Sequence, residues 1–340
     1  MRIAVDCMGG DHGPEVVVKG AKLALDRYSA IEGLYLVGRE EEVRHWMAKT
    51  HLNDARAEVV HASEVLFMTD KPTDGLRKKK DCSMLRAADL LKEGKAAALV
   101  SQGNTGGLVA ISTVRLRALE GVDRPALAAV MPTKKGAAIL IDVGANPECK
   151  PFHLGQFAIM GTIYSHAIFG IERPKVGVLS NGSEETKGTE LTREAVQLIR
   201  KLDMNFVGYV EGHDFFSGEV DVAVCDGFVG NLVLKGCESL AKTISGLLKE
   251  EVKAHPVRML GGLLARGAFK KLKEKMDPDV YGGAPLLGLN GIVIKAHGGA
   301  REAAIMNAIR VAMETIKQEV NQHIMQQVSK SQVLFGAVAA

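Results

Sequence analysis

The chain has 340 residues, 46% hydrophobic, 24% charged and 5% aromatic, with a formal net charge of +3. That length buries a large core, but the small charge and scarce aromatics, with Trp46 the single tryptophan, argue against a nucleic-acid partner read by base stacking. No apolar run is long enough to span a bilayer, so any membrane contact is expected from the cytoplasmic surface.

The N-terminus enters a strand directly at Ile3-Ala4-Val5, without a signal-peptide pattern. Pro14 stands where a first helical residue would, and Val17, Ala21, Ala24 and Leu25 share the face of the helix that follows. Strands are predicted at Leu34 to Val37, Glu58 to His61 and Ala97 to Val100, with Ser83 capping a helix to about Lys92. Further strands are predicted at Ala126 to Val130, Ala138 to Asp142, Val176 to Leu179, Asn205 to Val210, Val222 to Cys225 and Ile292 to Ile294. Several are continuously apolar, as strands covered on both faces are. After Gly299, Ile305, Ile309, Ala312, Ile316, Val320 and Ile324 form one helical stripe. Strands alternating with helices predict a doubly wound, mostly parallel α/β sheet. Residues 1–330 read as one large domain, with a basic amphipathic helical insertion at 257–275.

Five cysteines (Cys7, Cys82, Cys149, Cys225 and Cys237) are scattered, with no Cys-x-x-Cys pair. Neither a disulfide framework nor a zinc site is expected, and reduced thiols suit a cytosolic protein. No acidic metal cluster is evident, and no cofactor is expected.

Glycine-rich loops follow many of these strands: Gly9-Gly10-Asp11-His12-Gly13, Ser101-Gln102-Gly103-Asn104-Thr105-Gly106-Gly107, Asp142-Val143-Gly144-Ala145-Asn146, Asp226 to Asn231 and His297-Gly298-Gly299. Loops at the carboxyl ends of strands in an open α/β sheet build ligand sites. The loop at 101–107 opens a helix whose first amides favour an anion, or it is a plain βα turn with Thr105 as cap. Asn231 either binds a carbonyl or phosphate oxygen or caps its helix. His12 and His297 are the histidines best placed for chemistry. The run Arg77-Lys78-Lys79-Lys80 and Lys187 supply loop cations. From Val257 to Lys275, Val257, Leu260, Leu264, Ala268 and Leu272 lie near one helical face. Arg258, Arg266, Lys270, Lys271, Lys273 and Lys275 add charge. Such a stretch lies on an anionic membrane or covers a subunit interface.

The strings VDCMGGDHGP, RKKKDCSM, SQGNTGG, DVGAN, EETKGTELT, DGFVGN, YGGAPLLGLNG and KAHGG occur in that order from residue 1 to about 300. Together they resemble the bacterial, PlsX-type phosphate acyltransferase family. The family usually carries alanine where Cys7, Gln102 and Gly107 stand, and often asparagine where Ser180 stands. These departures bear on substrate preference more than on the reaction. The resemblance implies a fold similar to the isocitrate dehydrogenase group, a homodimer, and peripheral association with an anionic membrane or a membrane acyltransferase. It implies transfer of a long-chain fatty acyl group from acyl carrier protein to inorganic phosphate. The product, acyl phosphate, feeds phospholipid synthesis.

The residues suit direct attack by phosphate, since there is no Gly-x-Ser-x-Gly elbow or recognisable Cys-His pair. Positioning then contributes about 7–11 kcal/mol in favourable cases, and one oxyanion donor roughly 2.7–4 kcal/mol. Phosphate is expected at Ser101, Gly103, Asn104, Thr105 and Gly106, with Gly10 beside them. The thioester carbonyl is expected at Asn231 and Gly230. Lys187 or Arg77 offsets charge, and His12 or His297 moves a proton to the departing thiolate. Asp6, Asp142, Asn146 and Asp226 border the site, the aspartates ordering its loops. Two other enzyme readings remain: a coenzyme A phosphotransacetylase, and a nicotinamide-dependent dehydrogenase. The latter wants a Gly-x-Gly-x-x-Gly spacing that Gly9 to Gly13 lacks.

Overall fold

The computed structural model describes residues 1–276 and 278–339. The first half runs β1 (Arg2–Asp6), α1 (Gly13–Arg27), β2 (Gly33–Gly38), α2 (Glu40–Lys49), β3 (Ala57–His61), α3 (Asp74–Arg77), α4 (Ser83–Lys92), β4 (Ala98–Ser101) and α5 (Thr105–Leu116). A hairpin of β5 (Ala126–Thr133) and β6 (Gly136–Ile141) leads to α6 (Pro151–Phe169), β7 (Lys175–Leu179), α7 (Glu190–Ile199), β8 (Asn205–Val210), α8 (Gly212–Ser217) and β9 (Val222–Val224). The long α9 (Gly227–Lys253), α10 (Pro256–Leu264), α11 (Arg266–Met276) and α12 (Pro278–Tyr281) precede β10 (Ala284–Leu287), β11 (Ile292–Lys295), α13 (Glu302–Lys317) and α14 (Val320–Ala339).

All eleven strands form one sheet in the order β3-β2-β1-β4-β11-β10-β5-β6-β9-β7-β8. Seven pairings are parallel. Three, β11–β10, β10–β5 and β5–β6, are antiparallel. Helices cover both faces. Ile3, Val5, Leu34 and Leu36 pack with α1 and α13, while Ala4, Val37 and Leu99 pack with α4 and α5. The second half packs Ile139, Ile141, Val176 and Val222 with α6, α7 and α14. Burial on both faces accounts for strands such as β1, whose last four residues are all buried.

The topology adds one feature to the predicted mostly parallel sheet. Three successive reversals mean that β3-β2-β1-β4-β11 and β6-β9-β7-β8 are two parallel blocks of opposite direction. The first two reversals, through β10, cancel, and the β5–β6 hairpin leaves the net one; β10 was not among the predicted strands. Its Ala-Pro-Leu-Leu carries a proline and is short, and both properties weaken a strand signal.

Three local expectations are corrected. Cys82, not Ser83, is the residue before α4, and the Ser83 hydroxyl is bonded elsewhere. Asp226, not Asn231, caps α9. The C-terminal stripe is split between α13 and α14, with Glu319 at φ 49° between them. The side chain of Lys273 lies outside the described residues. Among the described residues no helix is long and apolar enough to cross a membrane.

Candidate active site

The first loop group grows from the ends of β1, β4 and β11. Val5 pairs with Val100, and Val100 with Ile294. One residue further, Ser101 pairs with Lys295, so Asp6, Ser101 and Lys295 stand abreast. Asp6 is buried and accepts hydrogen bonds from the Met8 amide at 3.1 Å, Ser83 Oγ at 2.6 Å and Ser101 Oγ at 2.7 Å. Ser101 Oγ also accepts from the Gly103 amide at 3.0 Å. Gln102 Nε2 donates to the Gly9 carbonyl at 2.9 Å, and the Asp11 amide donates to the Gly298 carbonyl at 2.9 Å. Gly10, at φ +82°, is threaded between these loops: a Cβ there would lie 2.6 Å from the Gln102 side chain and 2.8 Å from the Gly298 oxygen. Only glycine fits that passage.

Asn104 is the cap of α5. Its Oδ1 accepts from the Gly107 amide at 2.8 Å, and its Nδ2 donates to the carbonyls of Phe67, Met68 and Asp70 at 3.3, 3.1 and 3.1 Å. The side chains of Ser101 and Asn104, expected on phosphate, are therefore committed to partners within the protein. What remains toward solvent is the start of α5 at Thr105 and Gly106, where helix amides lack intrahelical acceptors. Thr105 is not the cap.

The second loop group grows from β6 and β9. The buried Asp142 carboxylate accepts from the amides of Leu127, Gly144 and Ala145 on Oδ1 and from the amide and side chain of Asn146 on Oδ2. Asn146 Nδ2 also donates to the Pro125 carbonyl at 2.7 Å. The Gly227 amide donates to the Asn146 carbonyl at 2.8 Å, and Asp226 caps α9 through the Phe228 and Val229 amides. Asp142 and Asp226 order backbone here. Gly144 lies against Asn231, whose Cγ is 3.5 Å from where a Gly144 Cβ would be.

Because the two blocks run in opposite directions, these loop groups leave the sheet in opposite senses. Helix α9 links them. Asn231, Lys235 and Glu238 are spaced i, i+4 and i+7 and so share one helix face. At 1.5 Å per residue, that face carries the link over about 10 Å. Asn231 meets the second group, and Glu238 lies 3.6 Å from His297 Nε2 in the first. Lys235 pairs with Glu238 at 2.8 Å. Burial alone would raise the Glu238 carboxyl, but His297 and Lys235 bring it down to about 2. His297 Nδ1 accepts from the Gly299 amide at 3.0 Å, which fixes the ring.

The other expected groups stand on neighbouring segments, Lys187 at the same end of the parallel β6-β9-β7 strands as the second loop group. His12 is exposed before α1 and makes no capping bond. Arg77 is exposed at the end of α3, in the first block. Lys187 is half-buried in the loop after β7, in the second block. Sequence reasoning missed Lys235, Glu238 and above all Lys295. The signal for Lys295 was a lysine continuing the apolar run Ile-Val-Ile at a strand's end. Among the described residues no cluster of three or more His, Cys, Asp or Glu is placed to hold a metal.

A family profile described as "Fatty acid synthesis protein" matches residues 1–323. A phosphate acyltransferase of Pelobacter propionicus is 46% identical over 333 residues, covering 98% of this chain and 96% of the relative. The phosphate acyltransferase of Geotalea daltonii is 47% identical over 335 residues, covering 98% and 96%. The chain belongs to this family. Among solved structures, a phosphotransacetylase from Streptococcus pyogenes superposes with a TM-score of 0.63 at 18% identity, over 93% of this chain and 94% of that one. A 4-hydroxythreonine-4-phosphate dehydrogenase from Klebsiella pneumoniae gives 0.50 at 16% identity, over 92% and 98%. At these identities the likeness describes the fold: a mostly parallel α/β sheet shared with phosphotransacetylases and a dehydrogenase.

Proposed function

We propose that this protein, an acyltransferase by family, moves a long-chain fatty acyl group from acyl carrier protein to inorganic phosphate by direct attack. A phosphate oxygen bonds to the thioester carbonyl carbon, and the carbon–sulfur bond breaks with its electron pair on sulfur. The proton lost by hydrogenphosphate ends on the carrier thiol. The products are acyl phosphate and free carrier protein.

The observation that carries direct attack is the placement of the five thiols: Cys7, Cys82 and Cys225 are buried, and Cys149 and Cys237 half-buried. Burial raises Cys7, Cys82, Cys149, Cys225 and Cys237, to about 11 at Cys82 and about 12 at Cys149. A thiol raised this far is a poor nucleophile, so a cysteinyl acyl-enzyme is disfavoured and phosphate itself takes that role. The start of α5 and the glycine loops beside it suit the anion. Asn231, on the first turn of α9, suits the thioester carbonyl, while the Gly230 amide is bonded to the Asp226 carbonyl; His297, held by Glu238, is the better placed of the two histidines to return the proton.

The exposed Val257, Leu260 and Leu264, beside Arg258, Lys270 and Lys271, support peripheral binding of α10 and α11 to an anionic membrane from the cytoplasm. The exposed row Leu240, Ile244 and Leu247 on α9 supports pairing of two copies. In this reading residues 1–330 are one catalytic domain and α10–α11 its basic insertion. Donor choice tests the reading against a coenzyme A phosphotransacetylase. Palmitoyl carrier protein is expected to be consumed in a phosphate-dependent manner, and acetyl-coenzyme A to be consumed at least tenfold more slowly. The reverse preference refutes the carrier-protein assignment.

A further inference from the structure

We infer that Lys295 is the cation that binds inorganic phosphate, in a site formed by the ends of β1, β4 and β11 and roofed by α9. This rests on the proposed reaction and adds to it a role for a residue that opens the KAHGG string but was given none there. Lys295 is only 8% exposed. It ends β11 between Ser101 of β4 and Ala284 of β10. Its Nζ hydrogen bonds to the Ala296 carbonyl. Among the described residues no carboxylate lies within ion-pair distance of it. Asp6, abreast of it, is instead filled by Ser83, Ser101 and the Met8 amide. Glu238, on the helix above, is held by Lys235 and His297.

A buried ammonium without a counter-ion is costly, and Lys235 of α9, itself paired with Glu238, adds a second positive charge to its surroundings. Burial first, then Lys235, push Lys295 down to about 8, against the pull of Asp6, Asp11 and Glu238. An anion bound at the Lys295 ammonium would relieve both effects. The loops beside it suit an anion of phosphate size. Gly10 and Gly298 bring backbone close, and α5 starts two residues beyond Gly103. Of the cations expected from sequence, Arg77 at the end of α3 is exposed and Lys187 after β7 is half-buried, whereas Lys295 is buried.

The test is the KM for phosphate, measured separately from the KM for acyl carrier protein. Lys295→Gln is expected to raise the phosphate KM about tenfold or more, the loss of one charged hydrogen bond, and to move the donor KM less than twofold. Lys295→Arg keeps a cation and is expected to recover part of the phosphate affinity. The wild-type pH profile gives a check that needs no substitution. Below about pH 8 the lysine is charged and the phosphate KM, expressed for hydrogenphosphate so that the titration of phosphate itself is removed, is flat. Above it the cation is lost and the KM climbs, while the donor KM stays level. Facing groups are Lys235 and Glu238 from α9, Asp6 from β1, Asp11 from the loop after it, and His297 next along the chain. The alkaline rise is assigned to Lys295 because it disappears in Lys295→Arg. If the wild type turns over normally but Lys295→Gln keeps the phosphate KM within twofold, or the wild-type profile is flat through pH 9, the assignment is overturned. If the wild type consumes no acyl thioester in the presence of phosphate, it is the proposed reaction that falls.

Discussion

Replacing Gly230 with alanine is expected to abolish turnover and to destabilise the fold by about 3 kcal/mol, the upper range for overpacking. A Cβ at this position would lie 1.9 Å from the Asp142 carbonyl oxygen and 2.9 Å from both its carbonyl carbon and Cys225 Sγ. The first two of those atoms are backbone, and no rotamer change relieves the clash. The first turn of α9 must lift away from the 142–146 loop, carrying Asn231, Lys235 and Glu238 with it. Gly236 on the same helix is the control, because a Cβ there meets nothing within 4 Å. Gly236→Ala should be neutral or stabilising by up to about 1 kcal/mol through helix propensity. Thermal unfolding and turnover of the two variants side by side decide the point. A Gly230→Ala enzyme that melts and turns over like Gly236→Ala would show that α9 does not seat on Asp142.

The second large effect belongs to Asp142→Asn. The substitution conserves shape, yet five N–H donors converge on this carboxylate, at 2.9, 3.2 and 3.1 Å on one oxygen and 2.7 and 2.9 Å on the other. A carboxylate only accepts, whereas an amide offers one accepting and one donating end. Whichever way it is turned, at least two buried donors face an NH₂ group and lose their partner. Each unsatisfied buried donor costs about 1–3 kcal/mol, so a loss of about 3 kcal/mol or more is expected. Burial raises the Asp142 carboxyl, and the donors pull in the opposite direction. The expected readout is a lower urea midpoint at unchanged m-value, with at least tenfold slower turnover as Asn146 and the start of α9 shift. A midpoint within experimental error of wild type would mean that the loop does not depend on this carboxylate.

Much of the fold is legible in the sequence because buried strands announce themselves by composition. Leu34 to Val37 or Val222 to Cys225 need no context to be read as strands. The strand β10 does need context. Pro285 and the flanking glycines look like a loop, and only pairing with β5 and β11 makes Ala284 to Leu287 a strand. The two reversals through β10 cancel, and the net reversal of the second block comes from the β5–β6 hairpin, whose strands were legible but whose place in the sheet was not.

The site divides in the same way. The loops could be named from their glycines, since close backbone approach at Gly10 and Gly230 leaves a compositional trace. Which polar side chains are spent inside the protein could not be read. Ser101 and Asn104 look like ligand groups in a string of letters, and only the positions of Asp6 and the 67–70 carbonyls show their commitment. Lys295 escaped for the opposite reason. Its burial follows from strands and a helix that are distant in sequence, and lysine by default belongs on the surface.

The most direct measurement combines purified protein, long-chain acyl carrier protein and radiolabelled inorganic phosphate, and follows label into acyl phosphate together with release of the carrier thiol. The account predicts equal amounts of labelled acyl phosphate and free thiol, formed without a covalent acyl-protein species that can be chased. Thiol release without phosphate, or an acyl group trapped on the protein and then passed to phosphate, would contradict it.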